Sequence, residues 1–294
     1  MRVARPMATS HSRRERDLTM IRTDHPALQR VRATGRLSVK HSDGRTRIDR
    51  LFQEGAAKIR FPAPESPAIE AVLINTAGGL TGGDTVDWTV DAAAGTRLTL
   101  TTQACEKVYR AAAGHAKISV SLKAGADARI AWLPQETILF DRSALRRRLD
   151  VDLARGAGIL LLEATIFGRQ AMGEHVETAM FCDRWRVRVE GSLVHAEDFR
   201  IGPDIATQLA RPAVTAGGRA VATLLMIGDS AERMLEPARA IIGEHGGASH
   251  WRVGPTGKLL ARLVATDGYA LRTRLMPLVG LLNGQAGLPK IWTN

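Results

Sequence analysis

The chain has 294 residues, 45% of them hydrophobic, and carries 41 Lys and Arg against 30 Asp and Glu for a net charge of +11. That length buries a sizeable core in one large or two ordinary domains, and no apolar run approaches the ~18 residues that a membrane span needs. The basic balance points to an acidic partner, nucleic acid included, yet aromatic residues make up only 4%, a poor supply for stacking bases, and an acidic protein fits as well.

In chain order, residues 1–31 come first. Arg2, Arg5, Arg13, Arg14, Arg16, Arg22 and Arg30 stand among Ser, Thr and His without apolar periodicity, which reads as a disordered basic tail. No apolar h-region follows the basic residues, and Glu15 and Asp17 argue against a transit peptide. Met7 and Met20 leave a shorter true start open.

From residue 35 to about 193 the pattern is strand after strand. Segments 37–40, 57–61, 71–74, 85–91, 96–102, 116–123, 128–133 and 185–190 show period-two or short buried apolar patterns. Turn signals at Gly44, Gly95, Gly114, Gly125, Gly156 and Gly191 separate them at spacings that suit packed sheets rather than alternating β and α units. After residue 201 helices enter. Asp204 is placed to cap a short helix through Leu209, 220–227 reads as a strand, and a helix is expected over 231–242, ended by Gly243. A strand over 259–265 then precedes a last helix opened by Thr266-Asp267, in which Leu271, Leu275, Leu278 and Leu282 recur at helical spacing. The expected fold class is mainly β: a body of stacked, packed sheets over about 32–200, with a few helices mostly in an α/β C-terminal part over about 201–294. No internal repeat is found.

Two Gly-Gly pairs, Gly78-Gly79 and Gly82-Gly83, are the least ordinary feature of the chain. Each glycine costs more backbone entropy on folding than another residue would, so the backbone here must take positive φ or pass close to another group. A phosphate-cradling loop would follow a strand and open a helix. Here Val86, Trp88 and Val90 alternate with polar residues, so the loop joins two strands, and no Lys-Ser/Thr follows the glycines.

Enzymatic chemistry is sparse. There is no Gly-x-Ser-x-Gly nucleophile elbow. Of the eight histidines, His245 and His250 share a Gly-rich loop, without the helical spacing or the Cys or carboxylate partners of a metal site. Cys105 and Cys182 lie far apart with no Cys-x-x-Cys, which suits a reducing compartment without structural zinc. What remains are carboxylates in Gly-rich or apolar surroundings: Asp84, Glu136, Asp141 and Glu174. Each is either a paired structural ion or a group that handles a cation, since unpaired buried charge is expensive.

Four ordered segments carry a family resemblance. They are Asn75-Thr76-Ala77-Gly78-Gly79-Leu80-Thr81-Gly82-Gly83-Asp84, the stretch from Thr101 to Arg110, Leu133 to Asp141, and Phe167 to Glu174. Together with Thr46-Arg47-Ile48-Asp49-Arg50-Leu51 and the closing Pro289-Lys290-Ile291-Trp292, they resemble the urease accessory protein family UreD, also called UreH, over about residues 32–294. Cys105 stands where a small residue such as Ala or Thr is expected, so no metal role is given to its thiol. The resemblance implies a cytoplasmic chaperone rather than an enzyme. Such proteins bind apo-urease, recruit UreF and through it the GTPase UreG, and help deliver nickel through an internal path, with no cofactor held tightly and nickel only in transit. It implies neither a nucleic-acid nor a membrane partner. A conduit must admit a cation and still release it, and hard oxygen ligands suit that better than a Cys/His cage. Asp141 and Glu174 are the first candidates for that path, and Asp84 and Glu136 the second. A basic nucleic-acid-binding protein or a Gly-loop nucleotide-binding protein is the alternative.

Overall fold

The computed structural model describes residues 29–63, 67–169 and 172–292. The strands, in chain order, are β1 Arg32–Ser42, β2 Arg45–Gly55, β3 Ala57–Arg60, β4 Ile69–Asn75, β5 Thr85–Ala92 and β6 Arg97–Thr102. There follow β7 Glu106–Val108, β8 Ala116–Ala124, β9 Arg129–Leu133, β10 Thr137–Leu139, β11 Ala144–Leu153 and β12 Gly158–Phe167. Then come β13 Met180–Val189, β14 Ser192–Ile201, β15 Ala220–Ile227, β16 Gly246–Val253 and β17 Thr256–Ala265. The helices α1 Ile205–Ala210, α2 Leu235–Ile242 and α3 Gly268–Leu282 all lie in the last third.

Two sheets face each other. One has the order β14-β13-β11-β8-β5-β1-β2; the other runs β16-β17-β15-β12-β9-β6-β4-β3, with β10 and β7 attached beside β12. Between β4 and β13 the chain alternates between them. The parallel neighbours β5, β8, β11 and β13 of one sheet are joined through strands of the other, and the parallel neighbours β4, β6, β9 and β12 likewise. Parallel strands need long crossovers, usually helical; here the crossover is a strand.

Sequence patterning follows from this arrangement. Central strands of the first sheet, such as β5 and β11, alternate: in β11, Leu145, Leu149, Val151 and Leu153 point inward and Arg146, Arg148 and Asp152 point out, because one face meets the core and the other meets water. Strand β12 is covered on both faces and is apolar almost throughout. Its inner residues, Ile159, Leu161 and Phe167, join the core between the sheets, whereas Leu160, Leu162 and Ala164 face α2 and α3. Leu271, Leu275, Leu278 and Leu282 of α3 fill that second core, and Asp267 caps the helix by accepting from the Ala270 N–H at 2.8 Å. No helix among the described residues is long and apolar enough to cross a membrane.

Several expectations shift. Strands β2, β7, β10, β11, β12, β14 and β16 are not resolved as separate elements by pattern alone, and β13 starts at Met180 rather than 185. The helix expected over 231–242 begins at Leu235. Pro237 explains this: its missing N–H is harmless in a first turn but would break a bond in a helix begun at Ala231. His250 lies on β16 rather than in a loop. The C-terminal strands β15, β16 and β17 extend the second sheet. Of the expected basic tail, residues 1–28 lie outside the described residues, while the Val31 N–H donates to Asp84 Oδ1 at 2.8 Å.

The inter-sheet core also holds an ion cluster. Arg147 on β11 donates from Nε and Nη2 to Asp183 on β13 at 3.0 and 2.7 Å, pairs with Glu163 on β12, and donates to Thr137 Oγ1 at 3.0 Å. Trp132 Nε1 donates to Glu163 at 2.9 Å and Trp185 Nε1 to Asp183 at 3.1 Å. Burial opposes charge on Arg147, but the two carboxylates outweigh it and hold the guanidinium charged. Burial pushes the Glu163 carboxyl up, aided by Asp183 and opposed by Arg147. The cluster bolts the sheets together at one register, since each buried charge finds its partner only there.

Candidate functional site

The glycine loop runs from the end of β4 to the start of β5, so strand leads to strand and no helix N-terminus opens from it. Leu80 crosses beside β7: its N–H donates to Lys107 O at 2.8 Å and its carbonyl accepts from the Tyr109 N–H at 2.7 Å. Gly78, Gly79 and Gly83 have φ of 75°, 151° and 93°, conformations in which L side chains are strained. A Cβ on Gly79 would overlap the Tyr109 ring, and one on Gly82 the Ala113 carbonyl. The glycines thus serve both expected needs, positive φ and close approach, with Gly82 needing only the second.

Asp84 closes this loop. Its buried carboxylate accepts from the Val31 N–H at 2.8 Å and the Thr81 N–H at 2.7 Å, so it ties the first strand to the loop. Glu136, 2% exposed, accepts from Arg272 of α3 at Oε1 (2.7 Å) and Oε2 (3.1 Å), and from the Cys105 thiol at 3.3 Å. Burial and the facing Glu136 carboxylate push that thiol up to about 12, so it stays protonated and donates. Next to it, burial pushes the Glu106 carboxyl up to about 7, against the Asn75 amide that donates to both its oxygens at 3.1 and 3.2 Å.

Asp141 and Glu174 come together. Asp141 Oδ1 accepts from the Glu177 and Thr178 N–H groups at 3.0 and 3.1 Å, and Oδ2 lies 3.4 Å from Arg142 Nε. Glu174 accepts from Arg169 Nε at 2.8 Å and from the N–H groups of Arg169 and Asp141 at 3.3 and 3.4 Å. Burial opposes ionisation of Glu174, but these donors hold its carboxyl below the usual range. Asp84 and Glu136 belong to separate hydrogen-bond networks. Among the described residues, no three His, Cys, Asp or Glu side chains group as a metal cage.

The four segments singled out in the sequence converge here. Tyr109 Oη donates to Gly78 O at 3.3 Å, and its ring packs edge-on against Phe140 with centroids 5.0 Å apart. The Arg169 guanidinium lies over the Phe140 ring, 4.2 Å from its centroid, and binds Glu174. Glycine loop, Tyr109, Phe140, Arg169, Glu174 and Asp141 thus form one contiguous surface, built on β4, β7, β10 and β12 of the second sheet. Tyr109 is 40% exposed at its centre. Sequence pattern missed Arg272, 136 positions from the Glu136 it binds, and missed Glu177 and Thr178, which act through backbone N–H groups that any residue supplies.

The family profile described as UreD urease accessory protein matches residues 31–293. The chain is 60% identical over 267 residues to the urease accessory protein UreD 1 of Brucella abortus, covering 91% of this chain and 95% of that one. It is 60% identical over 268 residues to the urease accessory protein UreD of Mesorhizobium japonicum, covering 91% and 96%. A match of this extent, spanning every segment that meets at the Tyr109–Phe140–Arg169 surface, shows that the chain belongs to the UreD family of urease accessory proteins.

Proposed function

We propose that this chain is a cytoplasmic, non-catalytic chaperone of urease maturation, which assembles with apo-urease, UreF and the GTPase UreG and helps insert nickel into the apo-enzyme. The observation that carries the reading is the convergence of four sequence-distant segments on one surface, where Tyr109 and Arg169 pack against the buried Phe140 ring and Asp141 and Glu174 meet. Scaffolding needs a rigid surface, and these segments are pinned by backbone bonds to the sheets.

Nickel is the cargo. Asp141 and Glu174 present oxygen ligands on a partly exposed junction, which suits brief contact with a hydrated divalent ion better than retention; Asp84 and Glu136, each satisfied by protein donors, are the second-choice contacts along an internal path. Co-expression of the tagged chain with urease, UreF and UreG tests the reading. All three should co-purify, and urease from cells lacking the chain should contain little nickel. Full nickel loading without the chain would overturn it.

A further inference from the structure

The outer face of the seven-stranded sheet carries a row of cations in cross-strand register. Arg32 on β1 lies opposite Thr85, which lies opposite Lys117 on β8; Lys117 is opposite Arg146 on β11, then Cys182 on β13, then Arg200 on β14. The row crosses six strands, about 24 Å at the usual strand spacing, and contains four cations and no carboxylate. All four cations are exposed. In the adjacent row Arg148 and Arg184 stand side by side. The acids of that row are Glu54 and Asp87 towards one end and Asp198 at the other; Asp198 is already taken by Arg186 and Arg200, and Arg148 pairs with Asp150.

Like charges directly opposite one another destabilise a sheet. Lys117 and Arg146 nevertheless face each other, and neither they nor Arg32 and Arg184 have an ion-pair partner among the described residues. Their field reaches His115 in the loop before β8, whose imidazole is lowered first by burial and then by Arg146 and Lys117. The residues between the cations of the first row are Thr85 and Cys182, and Ser119 stands next to Arg148, all of them small, so this part of the face is flat. No aromatic ring stands in either row to stack a base, which favours protein over single-stranded nucleic acid.

We infer that the Arg32–Lys117–Arg146–Arg200 row, with Arg148 and Arg184 beside it, is a docking surface for a flat acidic face of a partner protein. The inference rests on the reading above, that the chain works inside a urease-maturation complex, and adds to it which face meets a partner and by what chemistry. Docking supplies the carboxylates that the row lacks.

The test co-purifies the full chain with urease, UreF and UreG at 50, 150 and 500 mM salt, beside a Lys117→Glu/Arg146→Glu/Arg184→Glu variant. A control reverses three exposed cations elsewhere, Arg155→Glu/Arg233→Glu/Arg274→Glu, with the same change in net charge. The wild type should lose at least one partner as salt rises, since such contacts are screened. The row variant, with an unchanged melting temperature, should retain at least tenfold less of that partner at 150 mM salt, and the control should retain it. Equal retention by the row variant and the wild type overturns the inference alone. A wild type that captures no partner at any salt overturns the maturation reading and the inference with it. A row variant that loses binding to a 20-base-pair DNA but keeps every protein partner assigns the row to nucleic acid and overturns the proposal.

Discussion

The backbone N–H of Asp141 donates to Glu174 Oε1 at 3.4 Å, so two carboxylates 33 positions apart share one loop junction. Neither is fully buried, with side chains 29% and 19% exposed, and each is bound on one flank by an arginine. Replacement by alanine therefore removes local ties without stranding a buried charge. Asp141→Ala and Glu174→Ala are each expected to cost about 1–2 kcal/mol, a drop of several degrees in melting temperature. The complex should survive, and urease nickel content should fall. Measuring metal content beside the melting temperature separates the roles: normal nickel with both carboxylates removed would leave them purely structural.

The glycine loop makes an ordered prediction. Gly78 has open space where a Cβ would stand, whereas Gly79 and Gly82 do not. Gly78→Ala should then cost about 1 kcal/mol of backbone strain, and Gly79→Val and Gly82→Val distinctly more, because Tyr109 and the 113 carbonyl must move as well. Chemical denaturation of the three variants checks the order. Equal stabilities across them would remove the close-approach argument.

Arg147→Met should be the most damaging single change discussed here. It leaves Glu163 and Asp183 facing each other inside the core, and loss of one member of a buried ion cluster costs about 3–5 kcal/mol. An additional Glu163→Gln and Asp183→Asn, which remove the charges and keep acceptors for Trp132 and Trp185, should recover most of that loss. If the single variant unfolds at the wild-type denaturant concentration, the cluster does not hold the sheets in register.

Glu106 gives a pH dependence. Its carboxyl is raised to about 7 from an ordinary 4.5, so between those values the folded protein binds a proton that the unfolded chain releases. Its contribution is complete below about pH 4.5 and is lost as pH rises to about 7, a fall of roughly 2–3 kcal/mol for this mostly buried group. Glu106→Gln should flatten that slope and melt at or above the wild-type temperature at neutral pH. An unchanged slope in the variant would assign it to another group, Glu163 first.

Much of the fold was legible because half-buried strands write their burial as alternation: Ile118, Val120 and Leu122 against Lys117, Ser119 and Ser121. Strand β12 was harder, since burial on both faces erases that alternation and leaves a run a helix would also produce. The ion cluster had a signal that periodicity alone does not flag: Arg147 and Asp183 occupy the inward phase of otherwise apolar alternations, and Glu163 interrupts an apolar run. The carboxylates of the site were found by their glycine and aromatic neighbours. Nearby arginines are legible as partners, Arg142 for Asp141 and Arg169 for Glu174; the others are not, because Arg272 is distant in sequence and the donors at Glu177 and Thr178 belong to the backbone.

The weave of strands between the two sheets also sets how the chain reaches its native state. Sequence-adjacent antiparallel pairs are found towards the ends, β1 with β2, β3 with β4, β13 with β14, and β16 with β17. Every parallel pair in the middle requires the chain to travel to the opposite layer and back before one ladder bond closes, so loop entropy is spent before it is repaid. Refolding should therefore be slow for the chain length, with the hairpins protected early against hydrogen exchange and β5, β6, β8, β9, β11 and β12 acquiring protection together. No contiguous half of this region can complete its own hydrogen bonding. A chain interrupted within it carries two open parallel edges, the condition under which association with other chains competes with folding.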